Sequence, residues 1–241
     1  MPDVRQGAHR GGMTLRISPW AVRRALVPMV LALAVASVVA QILAYPLDSR
    51  GYGFVPLFDA GAERNPPTFY SSLALLACAA LLCLGAVRAR AAAERTARHW
   101  TVLAVVFFLG ALDEIVQLHE RTNEEIASAV GAGEEARLWV VAAAVLALAL
   151  LVQYREFVRD LSERARRSAI LGGALLVGGA LGLELVEAAI HALKGQTGLA
   201  EGLVSTLQEL FEMLGAVFIL EALVLHLSTD RDRRGAIMPA P

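Results

Sequence analysis

The sequence predicts an all-α fold, a polytopic membrane bundle of six transmembrane helices with both termini cytoplasmic. Three observations lead there. The 241-residue chain is 56% hydrophobic and only 19% charged, with a mean hydropathy of +0.55, too apolar for a water-soluble domain of its length. Its apolar residues gather into six runs, each long enough to cross about 30 Å of hydrocarbon as a helix of about 20 residues. Its basic residues alternate between crowded and sparse connections. Lipid offers backbone groups no hydrogen-bond partners, and the runs lack the polar/apolar alternation of barrel strands, so helix is the economical reading.

The elements follow in order. A polar cytoplasmic arm (1–20) precedes the first run, 21–45, at the head of a membrane domain spanning 21–226. The small residues "ALAVAS" in the first run suggest a signal-peptide cleavage point, but the run continues to about Leu43, too far for a signal core. The second run, 69–88, holds Cys78 and Cys83, whose spacing puts them on different helix faces and reads as packing rather than a disulfide or metal clip. The connection between these runs, 46–68, is rich in Gly and Pro and predicts an ordered extracytoplasmic cap loop. The third run, 100–119, ends in "FLGALDEIVQLHER", and the fourth is 138–154. The fifth, 168–191, carries Gly172, Gly173, Gly178, Gly179 and Gly182, with a G-x-x-x-G at 178–182, which predicts close helix packing and a surface for oligomerisation. The sixth is 203–226, and 227–241 is a cytoplasmic tail. His99, Trp100 and His226 sit at run ends, where they read as interfacial anchors.

Orientation comes from the 22 Lys and Arg residues. The arm with Arg23 and Arg24 at the start of the first run, the second connection with Arg88 at the end of the second run, the fourth connection and the tail carry 17 of them, and the first, third and fifth connections only five: Arg50, Arg64, Arg121, Arg137 and Lys194. The positive-inside rule then puts both termini in the cytoplasm.

Seven of the 23 acidic residues lie inside apolar runs: Asp113, Glu114, Glu184, Glu187, Glu209, Glu212 and Glu221. A bare carboxylate at such depth costs at least about 2.5–3.5 kcal/mol, so each must be protonated, hydrated or paired. Run direction brings all but Glu221 to the extracytoplasmic end. Helical projection puts Glu184, Glu187 and His191 on one face, Ser205, Glu209 and Glu212 on another, and Asp113, Glu114, Gln117, Glu120 and Arg121 on a third. In a continuous third helix His119 points away from that last group. Glu221 faces away from the other acids and reads as a separate contact.

Carboxylates and imidazoles converging from facing helices form a ligand set for divalent metals, and dinuclear carboxylate bundles use related spacings. The leading expectation is therefore a membrane metalloprotein with a site near the extracytoplasmic leaflet, holding one or two ions of Fe, Mn or Zn. Such a site would suit a metal-dependent enzyme acting on membrane lipid or another hydrophobic small molecule. Glu114, Glu187, His191, Glu209, Glu212 and His119 are the candidate ligands, with Asp113, Glu120 and Glu184 as catalytic acids or bases. Competing readings are a proton- or cation-coupled transporter, protonated carboxyls acting as packing contacts in a structural subunit, and a salt-bridge layer pairing Arg121 and Lys194 with Glu120 and Glu184. No phosphate loop, G-x-S-x-G, H-x-x-x-H or basic nucleic-acid patch is present, and the enzyme classes that fit the ligand set are a metal-dependent membrane oxidoreductase or hydrolase.

Two stretches carry a resemblance. "FDAGAERNPPTFYSSLALL" (58–76), with Glu63, Asn65, Pro67, Thr68, Phe69, Ser71 and Ser72, and the later Leu112, Asp113, Glu114, His119 and Glu120 resemble a group of bacterial multi-pass membrane proteins. These share an E-x-N-x-P-T-aromatic stretch and a later L-D-E then H-E. The resemblance implies a bacterial inner-membrane location and carries no activity. It directs attention to Glu63 and Asn65 as cap or substrate contacts, and Arg121, next to the second stretch, is a further candidate for that role.

Overall fold

The computed structural model describes residues 18–62, 64–131, 138–194 and 198–237. Among them every regular element is helical: α1 (Pro19–Ala44), α2 (Phe54–Phe58), α3 (Pro66–Ala91), α4 (Ala97–Val116), α5 (Leu118–Val130), α6 (Leu138–Arg159), α7 (Glu163–Val177), α8 (Glu184–Lys194) and α9 (Leu199–Ile237). A π-helical stretch, Gly178–Leu183, joins α7 to α8. Six helices are long and apolar enough to cross a membrane: α1, α3, α4, α6, the continuous α7–α8 and α9. They coincide with the six predicted runs. The cap region contains α2, and the amphipathic α5 is an added element between the third and fourth spans. The arm end of the bundle is where α1 begins; the distal end is where α1 finishes and α3 and α9 begin.

Local sequence fixes the ends. Asn65 caps α3 by accepting from the Thr68 N–H at 3.0 Å, and Pro66 and Pro67 occupy the first turn, where a missing N–H costs nothing. Ser162 caps α7 through the Ala165 N–H.

α9 is the hub. α1, α3, α7 and α8 all pack on it, while α4 packs on α3. Half of the apolar stretches of α3 and α9 is buried, against 11% of that of α6, so α6 lies at the edge with most of its surface left to lipid. Towards the arm end Cys78, Leu82, Trp100, Ala104 and Leu223 form one apolar cluster. Val30, Tyr70, Met213, Ala216 and Val217 form another between α1, α3 and α9. Cys78 is buried and Cys83 exposed, as their spacing dictates.

Small residues set the closest approaches. A Cβ on Gly172 would stand 2.8 Å from the Gly215 carbonyl oxygen, and one on Gly179 the same distance from Glu212 Cγ. The packed face therefore uses Gly172 and Gly179. Gly178 and Gly182 of the G-x-x-x-G have nothing within 4 Å of a built Cβ, so the expectation that this motif packs the fifth span is corrected. A seven-residue repeat follows the α7–α9 seam, and the 178–182 pair lies off it. Trp100 is a second correction. It is 4% exposed, its ring lies over Gly85, where a Cβ would come within 2.5 Å, and Phe157 and His226 flank it. A glycine opposite it on α3 turns a span-end tryptophan inward, making it a core residue.

Gly172→Val should destabilise the bundle by about 1–3 kcal/mol, because backbone rather than a movable side chain opposes the new Cβ. Gly178→Ala should be neutral or stabilising by up to about 1 kcal/mol. Unfolding of both variants in detergent, followed by circular dichroism, checks the contrast.

Candidate functional site

The distal half of α9 carries Glu201, Ser205, Thr206, Gln208, Glu209 and Glu212, and each of the first five reaches a different partner. Glu201 Oε1 lies 3.1 Å from His191 Nδ1. The Ser205 hydroxyl donates to Glu187 at 2.7 Å, and the Gln208 amide donates to Glu184 at 3.3 Å. All three partners belong to α8. On the α1 side the Ser37 and Thr206 hydroxyls are 2.8 Å apart, and Thr206 donates to the Gly202 carbonyl. Towards α3 the Ser71 hydroxyl donates to Glu209 at 3.5 Å, the long limit of such a bond.

The π-helical stretch explains how α8 meets α9 in this register. Gly179 and Glu184 both face α9, five residues apart, whereas α-helical neighbours on one face are three or four apart. A π turn closes i→i+5 bonds and absorbs the extra residue. Glu184, Glu187 and His191 then share the face predicted for them.

A second pair forms at the end of α4. Gln117 adopts a left-handed conformation (φ 58°, ψ 45°) that ends α4 and starts α5. This break resets the helical phase. His119, expected to point away from Asp113, instead has Nδ1 2.7 Å from Asp113 Oδ2, and its backbone N–H donates to Asp113 Oδ1 at 3.0 Å. Asp113 thus satisfies a first-turn N–H of α5 that has no partner within the helix. The His119 ring lies 4.8 Å from that of Trp139 at the start of α6.

The cap is stitched to the same end. Gln41, on α1 and almost wholly buried, donates to Asp59 Oδ1 at 2.7 Å. The Ala60 N–H donates to Ser37, and the Asn65 amide donates to the Asp59 carbonyl at 2.6 Å. Asn65, expected from sequence as a cap or substrate contact, caps α3 and clasps the cap loop. Thr68 donates to its Oδ1, and the Ser72 hydroxyl donates to the Ala111 carbonyl at 2.8 Å, tying α3 to α4. The Asn-Pro-Pro-Thr stretch and the serine pair thus close this end of the bundle.

The remaining predicted residues divide as follows. Glu114, Glu209 and Glu212 are half-buried at this end, and each is engaged by other groups. Arg121 is exposed on α5. Glu63 and the side chains of Glu120 and Lys194 lie outside the described residues. Glu221 stands apart, as expected, accepting from Ser168 at 3.0 Å with Arg23 Nη1 3.9 Å away. Among the described residues no three His, Cys, Asp or Glu side chains group closely enough to hold a metal ion. The donor types suit a divalent cation, but Asp113, His119, His191 and Glu187 are engaged in pairs with neighbours, so the predicted single cluster is resolved into separate contacts.

Sequence reading missed Glu201, Gln41, Ser37 and Asp59. Glu201 falls two residues before the sixth apolar run and was assigned to the connection. Its spacing of four from Ser205 and seven from Gln208 was the available signal. Glu201 is 8% exposed, and among the described residues its buried Oε2 has no hydrogen-bond partner, nor have Gln41 Oε1 and Gln208 Oε1.

These features define the class: a membrane-spanning helical bundle with six long apolar helices, a central α9, and a polar layer confined to one end. The chain belongs to the family of the domain of unknown function DUF8692, whose model matches residues 25–227, from within α1 to within α9. No curated protein and no solved structure matches it.

Gln117→Gly should preserve the α4–α5 break and the Asp113–His119 contact. Gln117→Gly should also relieve the left-handed strain that Gln117 carries, whereas Gln117→Val should destabilise relative to wild type because a β-branched side chain crowds a left-handed backbone further. Nuclear magnetic resonance of the His119 imidazole in detergent micelles, alongside unfolding, reads both effects.

Proposed function

We propose that this chain is a bacterial inner-membrane protein, with both termini cytoplasmic, whose polar layer at the extracytoplasmic leaflet binds a lipid or other hydrophobic substrate and carries out acid–base chemistry on it. The observation that carries the reading is the pair of carboxylate–imidazole contacts, Asp113–His119 and Glu201–His191, with an apolar cluster lying towards the arm end. A carboxylate on one ring nitrogen of a histidine fixes the tautomer and orients the ring for proton transfer. Asp113 and Glu201 would then be positioning residues, and His119 and His191 the bases. The apolar cluster speaks against a conducting path and for chemistry at one leaflet. α6, lying at the edge, leaves an approach from lipid beside Trp139.

In a metal-dependent form of the same proposal, Glu114, Glu187, Glu209 and Glu212 would have to leave their present separate contacts and converge on a divalent cation (Fe, Mn or Zn), and the acid–base roles do not rely on it. A second reading, proton or cation binding in a coupled transporter, is favoured by the buried, unpartnered Glu201 Oε2 and Gln41 Oε1. Among the described residues neither acceptor meets a hydrogen-bond donor. Self-association through the open glycines Gly173, Gly178 and Gly182 is part of the proposal as well.

The test compares lipid extracts of membranes holding equal amounts of folded wild type, His119→Gln and His191→Gln. The wild type should convert a lipid or lipid-linked species that at least one variant converts about 10²–10⁴-fold more slowly, the usual cost of losing a general acid or base. Unchanged lipid profiles, together with proton flux into proteoliposomes that stops in Glu201→Gln, would replace this reading with the transporter. Metal analysis of the purified protein decides the metal-dependent form.

A further inference from the structure

At the arm end, far from the polar layer, α1 and α9 diverge into an open groove of about 600 Å³, within the about 300–1,000 Å³ usual for small-ligand sites. Its mouth carries Trp20, Arg23 and Arg24, and its walls include Pro28, Leu31 and Phe218. The polar groups are thus confined to one end of an otherwise apolar slot. Trp20 and Leu31 are exposed, as they would be against lipid. The Arg24 guanidinium stands 4.6 Å from the centre of the Trp20 ring, which holds it at the mouth by a cation–π contact. Arg23 is half-exposed and 3.9 Å from Glu221. One carboxylate oxygen at that distance leaves most of its five N–H donors for another acceptor. Pro28 cannot donate to the Arg24 carbonyl one turn back, which loosens the α1 hydrogen-bond ladder beside the groove.

We propose that this groove binds one anionic phospholipid from the leaflet at the arm end, its phosphate held by Arg23 and Arg24 and one acyl chain lying between α1 and α9. Two guanidiniums above an apolar slot, with a tryptophan at headgroup depth, complement an amphiphile with a negative head. They do not match a free anion, which has no use for the slot, or a neutral hydrocarbon, which has no use for the arginines. The site is separate from the proposed chemistry at the distal end and does not depend on it. Its role is to anchor α1, which is otherwise held to α9 by the Val30 cluster and the Ser37–Thr206 contact.

The test is native mass spectrometry of delipidated protein titrated with palmitoyl-oleoyl phosphatidylglycerol or the corresponding phosphatidylcholine. The wild type should bind one phosphatidylglycerol in preference to phosphatidylcholine. Arg24→Gln should weaken the anionic lipid about fivefold, the usual effect of one basic residue at an anionic surface, and leave the zwitterionic lipid unchanged. Leu31→Trp, which fills the slot and keeps the arginines, should weaken both. Arg155→Gln, on exposed α6, should change neither. Equal binding of the two lipids by the wild type would overturn the proposal. So would unchanged phosphatidylglycerol binding in both groove variants, or an equal loss in Arg155→Gln.

Discussion

The structure depends on how α9 satisfies its polar side chains without water. Within three turns this helix carries Glu201, Ser205, Thr206, Gln208, Glu209 and Glu212, and hydrocarbon offers none of them a partner. The neighbouring helices supply the partners. α8 supplies His191, Glu187 and Glu184, α1 supplies Ser37, and α3 supplies Ser71. Each contact is modest, but leaving a buried polar group unpaired costs about 1–3 kcal/mol. The arrangement of three helices around α9 at the distal end is therefore specified by chemistry as well as by packing.

Along the helix seams the specification is by shape. Gly172 against Gly215, Gly179 against Glu212 and Gly85 against Trp100 are approaches at which a Cβ would meet an occupied position. Without a hydrophobic driving force between helices in lipid, such close contact is a main source of association. Shape and chemistry constrain each other, because the glycine seam sets the distance between α7 and α9, and the π-helical stretch above it rotates α8 so that its acids meet the hydroxyl and amide of α9. A functional site built this way sits on rigid helices rather than on a loop.

Much of this was legible in the chain. Six spans follow from apolar run length, and the shared face of Glu184, Glu187 and His191 follows from helical period, because α8 is regular across those residues. The features that were not legible are interruptions of the period or depend on long-range pairing. Gln117 carries no glycine or proline to announce a left-handed break, yet that one residue brings His119 onto Asp113. The choice of Gly172 and Gly179 over the G-x-x-x-G depends on what faces them across the seam. Trp100 at a span end reads as an anchor until Gly85 is seen opposite it. Glu201 was assigned to a connection because apolarity, not hydrogen bonding, marked where the helix began.

A double-mutant cycle at Glu187 and Ser205 tests most directly whether α9's polar residues hold α8 in place. Glu187→Gln, Ser205→Ala and the double variant would be unfolded reversibly in detergent and their free energies compared. An interaction energy of about 0.5–3 kcal/mol, typical of directly bonded pairs, is the expected result. Strict additivity of the two substitutions would contradict the claim, since it would mean that the 2.7 Å contact contributes nothing to how the two helices meet.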